Sequence, residues 1–83
     1  MATVYVLRCR DGSLYTGATK DLLARLRQHA AGRASRYTRS RLPVELVWTR
    51  EFPTWSEALH EELRVKRLTR DGKERLVAIS RDL

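Results

Sequence analysis

The chain opens with an apolar-rich stretch from Thr3 to Cys9, in which Val4, Val6 and Leu7 flank Tyr5. β-Branched and aromatic side chains at this density predict a strand with both faces partly covered. Residues 13–17 predict its partner, and Arg10, Asp11 and Gly12 lie between the two. The length of that turn decides where the tyrosines point. A two-residue loop of Asp11 and Gly12 would set Tyr5 and Tyr15 on opposite faces, because paired positions would differ in parity. A three-residue loop, a type I turn closed by a left-handed glycine, instead pairs Cys9 with Ser13, Leu7 with Tyr15 and Tyr5 with Gly17. In this register, which is the expected one, both phenols share a face as diagonal neighbours ~7–8 Å apart at the backbone, and Gly17 leaves room opposite Tyr5.

The period then becomes helical. Thr19 can cap a helix from about Lys20 to Ala31, with Gly32 to end it and Leu22, Leu23, Leu26 and Ala30 as its buried stripe. Arg25 and His29, four positions apart, stack at the edge of that stripe within reach of a sheet's rim. Residues 33–41 lack periodicity and gather Arg33, Arg36, Arg39 and Arg41 around Tyr37, which predicts a basic loop. After Pro43 comes a third strand, Val44 to Trp48. Thr54 and Glu57 match the capping box of a second helix running to about Leu68, with Trp55, Ala58, Leu59 and Leu63 as its apolar side. Projected at ~100° per residue, Glu57 and Glu61 fall on the polar side, whereas Glu62 falls between Ala58, Leu59 and Leu63. A carboxylate among apolar neighbours requires a partner, either Lys66 one turn later or a bound cation. Thr69 can cap a third helix through Leu76 to Ile79, although Gly72 weakens it.

These elements predict an α/β (α+β) fold, a small three-stranded mixed or antiparallel sheet flanked by helices. At 83 residues the chain is expected to form one domain over positions 1–83, since so short a chain cannot build two cores. Hydrophobic residues make up 42% of it and charged residues 33%, which excludes a disordered basic tail. The formal charge of +7 favours a polyanionic partner. Cys9 is the only cysteine, so neither an internal disulfide nor a cysteine metal cage is available, and a reducing cytoplasm is the expected setting. No stretch approaches the ~18 apolar residues of a membrane span, and no basic segment leads into an apolar run at the N-terminus, so no membrane association is expected. The arginines around Tyr37 suit contacts to backbone phosphates with stacking on a base, or simply a solvated loop.

Taken in order, Val4-Tyr5-Val6, Tyr15-Thr16-Gly17, Arg25, His29 and the string around Glu62 resemble the GIY-YIG nuclease domain family, over nearly the whole chain. Asp11 to Gly17, Tyr37-Thr38 and Ser56 to Leu59 look most like its small stand-alone bacterial subgroup. The resemblance implies a divalent-metal-dependent phosphodiesterase; the expected activity is structure-sensitive endonuclease cleavage with little sequence specificity, on DNA ahead of RNA. It implies that Tyr15 positions or deprotonates the attacking water, for which its hydroxyl pKa must fall from ~10. Arg25 would bind the phosphate oxygens and supply the charge for that fall. By the same likeness Glu62 holds one Mg²⁺ or Mn²⁺, Tyr5 hydrogen-bonds within the site, and His29 orients Tyr15 or relays its proton. The chain departs from the family pattern at Ala18, where some repair members carry lysine, and in having no asparagine. Two alternatives therefore stand beside the enzyme: a catalytically inactive nucleic-acid-binding module, and an adaptor that docks a larger protein.

Overall fold

Three strands and four helices make up the computed structural model, which describes residues 1–81, with Ser80 and Arg81 by backbone only. The expectation of one domain over 1–83 extends to Asp82 and Leu83, outside the described residues. β1 (Ala2–Cys9) and β2 (Leu14–Thr19) form the expected hairpin. Tyr5 pairs with Gly17 and Leu7 with Tyr15, so the three-residue turn is the one used. Gly12 supplies its left-handed residue at φ 85°, where a β-carbon would be strained, and its amide donates to the Cys9 carbonyl at 2.9 Å. β3 (Val44–Phe52) pairs antiparallel with the other edge of β1, giving the order β2-β1-β3 and an entirely antiparallel sheet. It runs four residues past the expected end at Trp48, and Val47 bulges where the register shifts between Val6 and Leu7.

Helix α1 (Leu22–Ala30) starts two residues later than expected, because Asp21 rather than Thr19 caps it, accepting from the Ala24 amide at 3.1 Å. Its predicted apolar stripe is also corrected: Leu23 is 63% exposed and Ala30 is exposed, while His29 is the fully buried residue. The expected basic loop contains a short helix, α2 (Arg36–Arg39), capped by Ser35 accepting from the Tyr37 amide. α3 (Trp55–Lys66) has the predicted Thr54 cap but stops short of Leu68. α4 (Arg70–Arg81) begins under a Thr69 cap as expected, accepting from the Gly72 amide at 3.1 Å.

The core fills one side of the sheet, where Ala2, Val4, Val6, Val47 and Trp48 pack with Ala58, Val65 and Val77 of α3 and α4. Glu61 joins that buried side, contrary to its predicted polar placement. Ala58, Glu61 and Val65 form the inward stripe of α3, whereas Trp55, Leu59 and Leu63, four apart, stay 37–48% exposed. Arg64 and Arg50 make the burial tolerable, with Arg64 meeting both Glu61 oxygens at 2.5 and 2.8 Å and Arg50 one of them at 3.4 Å. On α4, Glu74 takes a two-pronged ion pair from Arg8 of β1. Cys9 is a free, buried thiol, and among the described residues no helix is long and apolar enough to cross a membrane.

Candidate active site

Alternation along β1 sends Tyr5 away from the core, toward the side covered by α1 and α2. The Tyr5 hydroxyl lies against Gly17 of β2, so closely that a β-carbon there would stand 2.5 Å from Oη. Tyr15, diagonal to it in the register, brings its ring centroid to 6.5 Å from that of Tyr5. His29 fits between them, edge-on to both rings at 5.6 and 5.2 Å.

A chain of hydrogen bonds fixes His29. Thr38 Oγ1 donates to the Ser35 carbonyl at 3.3 Å, which leaves the Thr38 hydroxyl oxygen to accept from His29 Nδ1 at 2.9 Å. His29 Nε2 is then the acceptor for the Tyr5 hydroxyl at 2.8 Å, an assignment that follows from the network. Electrostatics agree with it. Burial, reinforced by Tyr15 and Glu62 and opposed by Arg25, pushes the Tyr5 pKa far above its ordinary value, so its proton stays on. Burial and then Arg25 hold the His29 pKa below its ordinary value, so the ring stays neutral. His29, expected to orient Tyr15 or relay its proton, meets Tyr15 through ring packing, and the Tyr5 hydroxyl makes the hydrogen bond to it.

Arg25 is half-buried on the same face of α1 as His29 and lines an open cleft of about 500 Å³ with Thr19, Lys20, Asp21, Gln28 and Trp55. Glu62, on the helix that packs against β1 and β2, is 19% exposed in its side chain and pairs with Lys66 at 3.4 Å. The unglamorous partner foreseen for it is therefore present, yet its charge still weighs on the Tyr5 hydroxyl. Among the described residues no group of three or more His, Cys, Asp or Glu side chains is placed to cage a metal. Glu62 nonetheless suits an ion of the Mg²⁺ kind, which takes one or two carboxylates and completes its shell with water and substrate phosphate.

The arginines of 33–41 divide into two groups. Arg33, Arg36 and Arg39 are exposed and line a hollow of about 380 Å³ with Gly32, Ala34 and Ser35. Arg41 turns back instead: it donates to Asp11 Oδ2 and to the Tyr37 carbonyl, each at 3.0 Å, and lays its guanidinium 3.9 Å over the Tyr37 ring. Tyr37 in turn stacks on Tyr15, at 6.1 Å and 27°. Tyr37 is thus already in contact with two neighbours rather than presenting a bare ring for a base. Sequence reasoning quoted Thr38 only within the Tyr37-Thr38 likeness and gave it no role, and it missed the Asp11–Arg41 clamp, which spans thirty positions without a periodic trace.

The GIY-YIG catalytic domain family matches residues 1–75. A UPF0213 protein of Halalkalibacterium halodurans is 49% identical over 76 residues, covering 92% of this chain and 81% of that protein. One from Streptococcus sanguinis is 50% identical over 72 residues, covering 87% and 83%. The solution NMR structure of a UPF0213 protein from Bacillus halodurans is similar at a TM-score of 0.63 and 48% identity, covering 95% of this chain and 85% of that one.

Proposed function

The chain belongs to the GIY-YIG nuclease family, and from that premise we propose that it is a divalent-metal-dependent endonuclease hydrolysing phosphodiester bonds in DNA. It acts with sensitivity to DNA structure and little sequence specificity. One observation carries this reading: two phenols and an imidazole pack together on the face of β1 opposite the core, and the charges of Arg25 and Glu62 act on the Tyr5 hydroxyl among them.

Each group has work that its surroundings suit. Arg25 binds the non-bridging oxygens of the phosphate and opposes the charge that builds on them. Tyr15 positions the attacking water by accepting a hydrogen bond from it. Tyr5 keeps its own proton, donates to His29 and so holds the tyrosine wall rigid. Glu62 would hold Mg²⁺ or Mn²⁺, which when bound supplies a Lewis acid for the phosphoryl oxygens. Arg33, Arg36 and Arg39 extend the positive surface along the strand's phosphates, and Arg41 shapes the site by holding Tyr37.

The test is incubation of labelled single-stranded, duplex, flap and branched DNA with the protein, with and without Mg²⁺. Hydrolysis should require the metal and fall by about a hundredfold or more in folded Glu62→Ala and Arg25→Ala variants. Equal residual nicking by wild type and both variants would mean contamination, and would end the proposal. The Glu62–Lys66 ion pair favours a second reading, a nucleic-acid-binding module without turnover. It predicts salt-sensitive DNA or RNA affinity and no metal-dependent products.

A further inference from the structure

The two tryptophans have opposite situations. Trp48 is 7% exposed within the core, whereas Trp55 is 37% exposed at the first residue of α3, with the Lys20 ammonium 5.5 Å above its ring. Burying an indole is strongly favourable, and one left at a cleft wall is typical of an interface awaiting its partner. That cleft, at about 500 Å³, has the size of sites that hold a small organic group, and Arg25 forms part of its wall.

We propose that this cleft is a subsite for one unstacked nucleotide next to the scissile phosphate, with Trp55 as the platform for its base. The proposal rests on the endonuclease reading, because Arg25 is shared between the cleft and the catalytic group. A planar base displaces Lys20 from the ring face, and the freed ammonium then neutralises the adjoining phosphate. Gln28 offers both donors and acceptors to a base edge. Asp21 is the one acid on the wall, and its Oδ1 is already engaged by the Ala24 amide. Its charge opposes a phosphate there and leaves a neutral base as the better neighbour. A base lying on Trp55 must leave its own stack, so single-stranded or branched DNA is the substrate class that meets this condition without an unpairing cost.

The probe is a fluorescein-labelled thymidine oligomer of about ten nucleotides, titrated in EDTA so that no turnover occurs. Anisotropy and tryptophan emission are read together. Wild-type emission should be quenched on binding, and Trp55→Ala should lose the quench and bind about tenfold or more weakly. Trp55→Phe, which keeps an aromatic face, should stay within about threefold of wild type. Neither substitution touches the α3 cap, where Thr54 accepts from the Glu57 amide. An oligomer carrying one abasic sugar keeps every phosphate and loses one platform contact. It should weaken wild type and leave Trp55→Ala indifferent. Equal affinity of Trp55→Ala and wild type, or an equal abasic penalty in both, overturns the subsite, including in favour of a protein partner for this face. If hydrolysis persists in that case, the endonuclease reading stands without it. Absence of both binding and hydrolysis in wild type removes the two proposals together.

Discussion

β1 has two sides that are equally dry and differently built. Val4 and Val6 meet Ala58, Val65 and Val77 in an apolar core, while Tyr5, 2% exposed, ends in a hydrogen bond to His29. Apolar burial is additive and forgiving of direction, so the core side can shift slightly and keep most of its energy. A buried hydroxyl and imidazole gain little net stability from their bond, yet lose a great deal if one partner is taken away. One strand therefore supplies stability on one side and geometry on the other.

Breaking the core side should have the largest effect on stability. Trp48→Ala removes a buried indole and should cost about 3–5 kcal/mol, much of the ~5–15 kcal/mol available to a typical domain. Urea denaturation measures it, and a loss below about 1 kcal/mol would show that stability does not reside there. Gly17→Ala attacks the other side. Its β-carbon would stand 2.5 Å from Tyr5 Oη and 2.6 Å from Cζ, so the phenol must move. About 1–3 kcal/mol of overpacking should result, with the hairpin retained and the His29 ring resonances displaced in an NMR spectrum. An unchanged His29 environment would mean that the tyrosine wall is softer than its packing suggests.

The two sides were also unequally legible. Parity of the hairpin and the three-residue turn were sufficient to put Tyr5 and Tyr15 on one face, because strand periodicity is strict and Gly12 limits the choice of turn. Helical projection did worse on α3. It put Trp55, Ala58, Leu59 and Leu63 on the inner side, of which Ala58 alone is buried, and Glu61 and Val65 complete the stripe. Hydrophobicity misdirected the projection there, since a glutamate can be buried once Arg64 and Arg50 neutralise it. Arg25 and His29 came out near each other by i,i+4 spacing, but the hydrogen bond to Tyr5 and the role of Thr38 depend on tertiary contacts that no local pattern encodes.

Smaller perturbations sharpen the contrast. Tyr5→Phe keeps the ring and removes the donor, leaving His29 Nε2 unpaired at a cost of about 1–2 kcal/mol. A variant as stable as wild type would show that water or another group takes the donor's place. The same network predicts a pH dependence. Burial and Arg25 keep the folded His29 pKa below its ordinary ~6.5, so the unfolded chain takes up a proton first as pH falls. Stability is complete above that range and declines as pH drops below ~6.5 toward the folded value. Thermal melts between neutral and mildly acidic pH should show this slope in wild type and a shallower one in His29→Gln. Equal slopes would detach His29 from the linkage.

The mildest test concerns what keeps Tyr15 in place. Its ring stacks on Tyr37, Tyr37 lies under Arg41, and Arg41 is tied to Asp11 in the hairpin turn that joins β1 to β2. The turn that sets the register thereby also braces the aromatic column standing beside it. Arg41→Met keeps much of the stem's packing and removes both the guanidinium contact and the tie, so its cost in stability should be about 1 kcal/mol or less. The expected change lies elsewhere, in the mobility of the Tyr37 and Tyr15 rings, with turnover of DNA reduced by only a few-fold. Aromatic NMR line widths separate the possibilities: broadened Tyr15 signals with unaltered Tyr5 signals would locate the effect on the column. Unaltered signals from both would mean that β2 positions Tyr15 without help from the turn.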